Sequence, residues 1–515
     1  MAQRNISSRL MRTRYNTKHQ SLMTQMSIPS PVLSTLSDVH AYAHAQRVAC
    51  YLVGGMIRDQ LLGRTPAYWN VDLAVARDAI EFARALATHL HGAFVPLDEQ
   101  EDCARIVVTR ESQRIELDVS AFRGPTLEDD LRHRDFTINA MAVALEDWLR
   151  QPHDPQPVID PLKGRAALTH RQVVACFPGT FDEDPVRIFR AFRFASQLDF
   201  TIDPAIPPLI TRAVALLSRV SGERIRDELL AIFETDRAHP AIQALNAVGA
   251  LDVVFPELIP GRGLEQGGYH HLDVLGHQVE TVAQADRFLA EFAEFSAPLR
   301  QPMATYCAEQ LVERRSRKSL IKLAGLLHDV GKPARRTVEP DGEIWFLGHE
   351  HTGAELATNI VERLRLSNRE GEMVCQLVLH HLRPGFLSRE PVVTRRAMYR
   401  FFKELGDNGP ACLLTWWADR MATRGPQSRL DQIDQQRARL EELLNAYFFK
   451  ADEVVKPPRL IGGHQLMTAL HLQPGPLIGE LLGAIEEAQA EGRIHSPEEA
   501  LALARERLKA PGQTA

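Results

Sequence analysis

The spacing of apolar residues changes once along the chain, near Glu183, and this change constrains the fold more than any other feature. Before it, between residues 51 and 143, short β-branched runs such as YLV, VDLAVA and RIELDVS alternate with segments of helical spacing. After it, amphipathic patterns such as VRIFRAFRFASQL and RIRDELLAIF take over. Alternating strands and helices are typical of an α/β layer, whereas sustained 3.6-residue spacing is typical of helical domains. We therefore predict a multidomain α+β protein, in which an α/β head is followed by all-helical domains without strands.

The 515 residues are too many for one hydrophobic core, since cores stop growing at roughly 250–300 residues. Loop signals lie at PGRG (260–263), GG (267–268) and KPP (456–458). We predict five segments with these boundaries: a basic, disordered leader (1–34), the α/β head (35–175), a helical neck (176–260), a helical body (261–450) and a helical tail (451–515).

Composition excludes several classes of protein. With 44% hydrophobic and 24% charged residues, the chain has an ordinary globular composition. No apolar run approaches the roughly 20 residues that a bilayer span needs, so we predict no membrane partner. The six cysteines are scattered without a C-x-x-C pair, which argues against a zinc ribbon or a disulfide framework and favours a reducing cytoplasm. The net charge of −6 leaves nucleic-acid binding open, because a local basic face is sufficient for it.

The N-terminus is locally basic. Five basic residues precede the first acidic one, Asp38; they are Arg4, Arg9, Arg12, Arg14 and Lys18. We interpret this segment as a disordered leader, with an organelle transit peptide as the alternative.

A glycine pair joins the first strand to the first helix of the head. YLV runs directly into Gly54-Gly55, so backbone N–H groups at a helix N-terminus can approach a phosphate with no Cβ in the way. Arg58, one turn into the helix, can add positive charge. Such a turn alone is also consistent with a plain strand-to-helix connection.

Acidic residues follow on the next strands. Asn70 and Asp72 are two residues apart and therefore project from one face of a strand, and Asp118 can supply a carboxylate from a neighbouring strand. Carboxylates that converge on one face need cations to neutralise them. Two Mg²⁺ ions about 4 Å apart are the usual arrangement in nucleotidyl transfer.

Five sequence blocks between roughly residues 50 and 235 carry a family resemblance. They are LVGGMIRDQLLGR followed by NVD, TLEDDLRHRDFTINAMA, IDPLKG, FDEDPVRIFRAFRFASQL and GERIRDELL. In this order and spacing they resemble the class II tRNA nucleotidyltransferase and poly(A) polymerase superfamily, of the bacterial CCA-adding type. The resemblance implies a polymerase beta-like head that adds CMP and AMP, from CTP and ATP, to the 3′ end of tRNA without a template.

The resemblance also implies residue roles. Asp72, Asp118 and Asn70 would be catalytic and hold two Mg²⁺ ions. The nucleotide would be bound by Gly54, Gly55, Arg58, Arg134, Asp135, Asn139, Glu183, Asp184, Arg187, Arg190 and Arg193. Arginine forks suit phosphate oxygens. Asp184 and Arg187 would pair with the Watson–Crick edge of the incoming base, so that a wrong base leaves buried groups unpaired. Arg187, Arg190 and Arg193 recur every three residues and form a cationic stripe, for which a solvated helix face is the alternative.

Asn70 departs from the family pattern, which has aspartate there. An amide oxygen can ligate Mg²⁺ but brings one negative charge fewer, so metal affinity and rate should fall. Three accounts stay open: an impaired but working enzyme, a binding protein without catalysis, or a strand shifted by one residue in which another acid substitutes.

A second set of ligands lies in the predicted body. It comprises His277, His328, Asp329, His349, His381 and Asp419. Helix-borne histidines with a His-Asp pair resemble an HD phosphohydrolase domain, in which a divalent transition metal would activate water for attack on a phosphoester. His271, His351 and His380 compete with their neighbours as ligands, and the identity of the metal stays open.

The tail contains Pro474-Gly475-Pro476, which predicts a break between two helices, the second with Leu and Ile at core spacing. By resemblance, the tail would dock the tRNA elbow, and the RNA would be recognised by the shape of its acceptor stem and elbow.

Four alternative functions stay open for the protein: a poly(A) polymerase, a partial CC-adding or A-adding enzyme, a phosphohydrolase active only at the HD site, and a non-catalytic RNA-binding protein. The sequence does not indicate an oligomeric state.

Overall fold

The computed structural model describes residues 26–154, 156–390 and 392–509. The chain divides into two compact units, Met1–Arg187 with Leu198–Arg212 and Ile188–Gln197 with Ala213–Ala515. Residues 1–25 of the predicted leader lie outside the described residues.

A six-stranded mixed sheet forms the centre of the first unit. Its strands are β1 (Tyr51–Val53), β2 (Trp69–Val75), β3 (Ala93–Asp98), β4 (Cys103–Arg110), β5 (Gln113–Ala121) and β6 (Ala142–Ala144). Their order is β3-β4-β5-β2-β1-β6. Only β2 and β5 run parallel; the other neighbouring pairs are antiparallel. The sequence pattern did not predict β3, since it is a mostly exposed edge strand that contains Pro96, or β6, which has only three residues.

Seven of the helices that the structure describes accompany this sheet in the first unit. They are α1 (Ser30–Ala45), α2 (Gly55–Leu61), α3 (Ala79–His89), α4 (Leu127–Arg132), α5 (Leu145–Arg150), α6 (Gly164–Thr169) and α7 (Thr180–Glu183). Helix α1 buries Val32, Leu36 and Val39, so the prediction of disorder is wrong for residues 30–34. On β2, Val71 and Leu73 are fully buried, whereas Asn70 and Asp72 point to the opposite face, which carries the candidate site.

Two helices contain residues of both units, α8 (Arg187–Leu198) and α9 (Ile206–Ala213). The second unit is otherwise built from α10 (Gly222–Phe233), α11 (Ala238–Ala247), α12 (Ala250–Val254), α13 (Val274–Leu289), α14 (Ala297–Ala308), α15 (Arg317–Leu327), α16 (Lys332–Arg335), α17 (His349–Arg363), α18 (Asn368–His380), α19 (Arg383–Arg389), α20 (Arg395–Leu405), α21 (Gly409–Ala422), α22 (Ile433–Phe449), α23 (Gly463–Leu470), α24 (Pro476–Ala490) and α25 (Pro497–Lys509).

Short strands after Glu183 show that the expectation of none is wrong. They are β8 (Thr201–Ile202), which pairs with β7 (Gln172–Val173), and the hairpin strands β9 (Gln310–Val312), β10 (Arg315–Ser316), β11 (Thr337–Val338) and β12 (Ile344–Trp345). Each has two or three residues, too few for an alternating pattern to be recognised.

The helices of the second unit bury its apolar core, including Val282 on α13, Leu323 on α15 and Trp417 on α21. At the tail, α23 and α24 flank the Pro-Gly-Pro segment, as predicted, and Ile478, Leu481 and Ile485 form a separate small core. No helix that the structure describes is both long and apolar enough to cross a membrane.

Candidate nucleotide and metal sites

Gly54 brings a backbone turn, a carboxylate and a guanidinium together. It has φ +72°, and α2 begins at the next residue. A Cβ placed on Gly54 would lie 2.7 Å from Oδ2 of Asp72 and 3.6 Å from Nη1 of Arg134. Both the positive φ and the lack of space therefore require glycine here.

The acidic strands meet in register. Asp72 on β2 lies opposite Asp118 on the parallel strand β5, and Asn70 lies opposite Glu116. The Nδ2 atom of Asn70 donates a hydrogen bond to Oδ2 of Asp118 at 3.3 Å. The side chains of Asn70 and Asp72 thus share one face, and the observed register gives no support to a strand shifted by one residue. Glu116, the acid across from Asn70, is buried and paired with arginines.

This face is electrostatically negative. Burial, followed by the nearby carboxylates of Asp118 and Asp72, raises the pKa of the Cys103 thiol to about 11. Two carboxylates and the amide oxygen of Asn70 form an all-oxygen donor set, which is the chemistry that a hard divalent cation prefers. The residues present therefore fit a divalent metal site with one carboxylate fewer than the family pattern.

Arg105 is a member of this face that the sequence analysis missed. Its Nε and Nη2 atoms donate to Oδ1 and Oδ2 of Asp118 at 2.7 and 2.8 Å. The hydrogen bond to Asp118 raises the pKa of Arg105 above its usual value. The available signal was positional, since Arg105 lies directly opposite Asp118 in the β4–β5 hairpin.

The predicted nucleotide-binding residues near the turn form a hydrogen-bonded chain. Arg58 Nη1 donates to Oδ1 of Asn139 at 2.7 Å, and Asn139 Nδ2 donates to Oδ1 of Asp135 at 3.2 Å. Arg134 Nε donates to Oδ2 of the buried Asp130 at 3.1 Å. These contacts hold the guanidinium groups of Arg58 and Arg134 in place through protein partners alone.

Arg187 is buried, with 5% of its surface exposed, so the interpretation as part of a solvated face is wrong for this residue. Its Nη1 atom donates to Oε2 of Glu183 at 2.8 Å and to Oγ1 of Thr180 at 3.0 Å, and its Nη2 atom donates to the His133 carbonyl at 3.5 Å. Asp184 Oδ2 lies 4.0 Å from its Nε. A buried, multiply bonded guanidinium can discriminate between hydrogen-bonding partners.

Arg190 and Arg193 belong to the second unit and share one partner. Their guanidinium groups lie 3.2 and 2.5 Å from the carboxylate oxygens of Glu228. Arg193 also lies over the ring of Phe194, 4.2 Å from its centroid. The predicted stripe is therefore not a row of uncompensated charges, since a carboxylate accompanies its arginines.

The second unit brings all six predicted HD residues into one cluster, in which only Asp419 is partly exposed. Nε2 of His277 lies 2.9 Å from Oδ1 of Asp419, and Nε2 of His328 lies 3.1 Å from Oδ2 of Asp329. Nε2 of His349 lies 3.2 Å from Oδ1 of Asp329. Two triads have ligand spacing, His277 with His328 and Asp329, and Asp329 with His349 and His381.

The hydrogen bonds of this cluster make it a good fit for metal ions. His349 Nδ1 and His381 Nδ1 each lie 2.7 Å from the carbonyl oxygen three residues earlier, a geometry in which these nitrogens donate. In the neutral rings, the Nε2 atoms are then unprotonated and can only accept hydrogen bonds, yet they lie 3.2 Å apart with no proton between them. His328 Nε2 and Asp329 Oδ2 are buried 3.1 Å apart, but this pair lacks hydrogen-bond geometry. A cation between these atoms would satisfy all of them.

The charge distribution supports the same conclusion. Burial opposes protonation of His328, but Asp329 and then Asp419 outweigh it and raise the pKa of His328 to about 10. The negative field that stabilises a proton on His328 would also stabilise a metal ion.

The histidines that competed as predicted ligands lie outside the cluster: His351 is 72% exposed, and His380 Nε2 lies 3.7 Å from Glu404. His271 is exposed as well.

Two further residues at this cluster were missed. Lys332 is buried, and its Nζ lies 2.6 Å from Oδ2 of Asp329 and donates to Gln266 at 2.7 Å. The ring of His270 lies 4.6 Å from that of His277, and burial lowers the pKa of His270 to about 3. The signal for Lys332 was its position one turn after the His-Asp pair.

Three family models match the chain. The "Poly A polymerase head domain" matches residues 50–174, the "Probable RNA and SrmB- binding site of polymerase A" matches residues 199–261, and the "HD domain" matches residues 276–421.

Curated relatives match along most of their length. An A-adding tRNA nucleotidyltransferase of Deinococcus radiodurans is 35% identical over 88% of this chain and 94% of its own. A CC-adding tRNA nucleotidyltransferase of Thermus thermophilus is 33% identical over 88% and 92%. A multifunctional CCA protein of Verminephrobacter eiseniae is 31% identical over 61% and 70%.

Solved structures share the fold. A CCA-adding enzyme in its apo form superposes with a TM-score of 0.60 and 20% identity, over 95% of this chain and 97% of its own. The Thermotoga maritima CCA-adding enzyme complexed with tRNA gives a TM-score of 0.59 and 21% identity over 95% of this chain and 98% of its own.

The fold and the sites define a nucleotidyltransferase with a poly A polymerase head and an HD domain. The chain belongs to the tRNA nucleotidyltransferase family, as its motifs predicted, and membership implies dependence on divalent metal ions.

Proposed function

We propose that this chain adds CMP and AMP, from CTP and ATP, to the 3′ end of tRNA, and so completes or repairs the CCA end. The observation that carries the proposal is the contact around Gly54, where Asp72 and Arg134 both border the position of a missing Cβ. A triphosphate can approach the backbone only where side chains leave such space.

In this mechanism the residues of the head have separate tasks. Arg58 and Arg134, each fixed by an acid or amide partner, hold the triphosphate. Asp72, Asp118 and Asn70 hold Mg²⁺ through oxygen atoms. When bound, the metal ions lower the pKa of the attacking 3′-hydroxyl and stabilise the departing pyrophosphate.

Base selection falls to the start of α8. The buried Arg187 offers fixed donors, and Asp184 offers acceptors beside it, so a base with the wrong edge leaves buried groups unpaired. Glu183 holds Arg187 in place.

The range of nucleotides added is tested with three tRNA transcripts that end before C74, C75 and A76, each incubated with labelled CTP or ATP. Full CCA addition gives CMP on the first two transcripts and AMP on the third. A CC-adding enzyme labels only the first two, an A-adding enzyme only the third, and a poly(A) polymerase extends all of them with AMP. A non-catalytic RNA-binding protein labels none, which would refute the proposal. A cytoplasmic location stays a prediction.

A second candidate function is metal-dependent phosphoester hydrolysis at the HD site. It is favoured by the facing Nε2 atoms of His349 and His381 and by the buried pair His328 and Asp329, which meet at 3.1 Å without hydrogen-bond geometry. When bound, a transition metal supplies Lewis-acid activation of water. Release of product from 2′,3′-cyclic AMP with Mn²⁺ or Ni²⁺, retained in Asp72→Ala and lost in Asp329→Ala, would support this function. No release with either metal would refute it.

A further inference from the structure

Three adjacent strands of the head carry a mixed set of charges on one face. The cross-strand register places Asp72 opposite Asp118 and Asn70 opposite Glu116, and it places Arg105 opposite Asp118. Arg105 is therefore part of the same face as the candidate metal ligands, although the family motifs do not include it.

One guanidinium holds two of these carboxylates. Besides its paired hydrogen bonds to Asp118, Arg105 places Nη1 3.2 Å from Oε2 of Glu116. The other oxygen of Glu116 lies 2.9 Å from Nη2 of Arg114. The Arg105 side chain is 29% exposed, and that of Glu116 is 3% exposed, so this is a partly desolvated contact. Bidentate arginine–carboxylate pairs are the geometrically specific ones.

Asn70 and Arg105 both lower the negative charge of the face. Asn70 replaces a carboxylate by an amide that donates to Asp118, and Arg105 adds a positive charge on the other side of the same carboxylate. A divalent cation at Asp118 must share both carboxylate oxygens with Arg105. Protein donors on both sides, Arg105 and Asn70, thus set the orientation of Asp118.

We propose that Arg105 is a positioning residue for nucleotidyl transfer. It orients Asp118 before the nucleotide binds and competes with free divalent cations, so that the head binds a cation tightly only together with a nucleoside triphosphate, whose own charge compensates for Arg105. This inference rests on the proposed function for its kinetic part. Its metal-binding part can be measured without any nucleotide addition.

The test uses the full chain with Arg105→Gln, Arg105→Lys and the control Arg110→Gln. Arg110 lies on the same strand and pairs with Asp38, away from the acidic face. Free Mn²⁺ is titrated by electron paramagnetic resonance with and without CTP, and nucleotide addition is measured in parallel. Each variant is also prepared with Asp72→Ala, because the difference isolates the head from the HD cluster.

Removal of the charge in Arg105→Gln is expected to strengthen nucleotide-free Mn²⁺ binding by about tenfold. The same variant should lose kcat by about tenfold or more, with KM little changed, because Asp118 is no longer oriented. Arg105→Lys keeps the charge but not the fork, so its Mn²⁺ affinity stays near that of the wild type while kcat falls. Arg110→Gln changes neither quantity.

Unchanged or weaker Mn²⁺ binding by Arg105→Gln would overturn the competition, and a wild-type kcat in Arg105→Lys would overturn the positioning role. A merely structural role would lower metal affinity and kcat together. If the wild-type chain adds no nucleotide at all, the proposed function fails, yet the Mn²⁺ titration still decides whether Arg105 competes with the cation.

Discussion

The side-chain amide of Asn70 donates a hydrogen bond to Oδ2 of Asp118 across two parallel strands, at 3.3 Å. An aspartate at this position could not donate and would face a like charge. The hydrogen bond and the missing charge have the same effect: they stabilise the face without metal and lower its affinity for a cation.

Asn70→Asp should therefore bind Mn²⁺ more tightly, by about tenfold, and add nucleotides faster at low Mg²⁺. The metal-free variant should be less stable by about 1 kcal/mol, since a hydrogen bond is replaced by repulsion. Thermal unfolding with and without Mn²⁺, together with rates over a range of Mg²⁺ concentrations, measures both effects. Equal metal dependence of wild type and variant would contradict this view of Asn70.

Gly54→Ala should abolish nucleotide addition. The new Cβ would lie 2.7 Å from Oδ2 of Asp72, and the residue would have to keep φ at +72°. Gly249→Ala is the matched control, because Gly249 has φ +78° and nothing within 4 Å of its Cβ position. Both variants should lose about 1 kcal/mol of stability from the backbone, but only Gly54→Ala should lose activity. Similar activity in the two variants would show that the space at Gly54 is not used.

Replacement of both His349 and His381 by alanine should remove bound transition metal from the purified protein, as measured by mass spectrometry of its metal content. His351→Ala is the control, since this side chain is 72% exposed and outside the cluster. Chelation should lower the thermal midpoint of the wild type, because a ligand at a hundred times its Kd stabilises by about 2.7 kcal/mol. Equal metal content in all three proteins would contradict the assignment of the HD cluster as a metal site.

The packing of the tail helix α24 should lose stability at acidic pH. Burial tends to raise the pKa of Glu487, but hydrogen bonds from Arg400 and Arg396 outweigh it, and the net pKa is lowered. A carboxylate with a lowered pKa contributes stability above its ordinary pKa, and this contribution is lost as pH falls through the lowered value. Glu487→Gln should cost at most about 1 kcal/mol at neutral pH and should make α24 and α25 more sensitive to limited proteolysis. The exposed Glu506→Gln should have no effect.

Much of the head could be predicted from sequence because its signals are local. The turn at Gly54 and the alternation of Asn70 and Asp72 depend on neighbours in the chain, and both have the predicted placement. The placement of Arg105 depends on the register of a hairpin that pairs it with Asp118, 13 residues later, and no local pattern specifies that register. The edge strand β3 was missed because half-buried alternation is absent from it.

In the HD cluster, too, local sequence signals predict only some of the residues. The His-Asp pair at 328 and 329 is visible in the sequence, whereas Lys332, one turn later, was not predicted. The choice of His381 over His380 depends on the end of α18, where a difference of one residue turns the ring into or away from the cluster. His270 lies in an irregular segment before α13, for which periodicity gives no information.

The most direct test of the central claim compares nucleotide addition by the wild type and by Asp72→Ala, on a tRNA transcript without its CCA end, with labelled CTP and ATP and with Mg²⁺ or Mn²⁺. The acidic face, the Gly54 turn and the buried Arg187 are proposed to act on one nucleotide, so the wild type should label the tRNA and Asp72→Ala should not. Equal labelling by both proteins, or labelling by neither with either metal, would contradict the account.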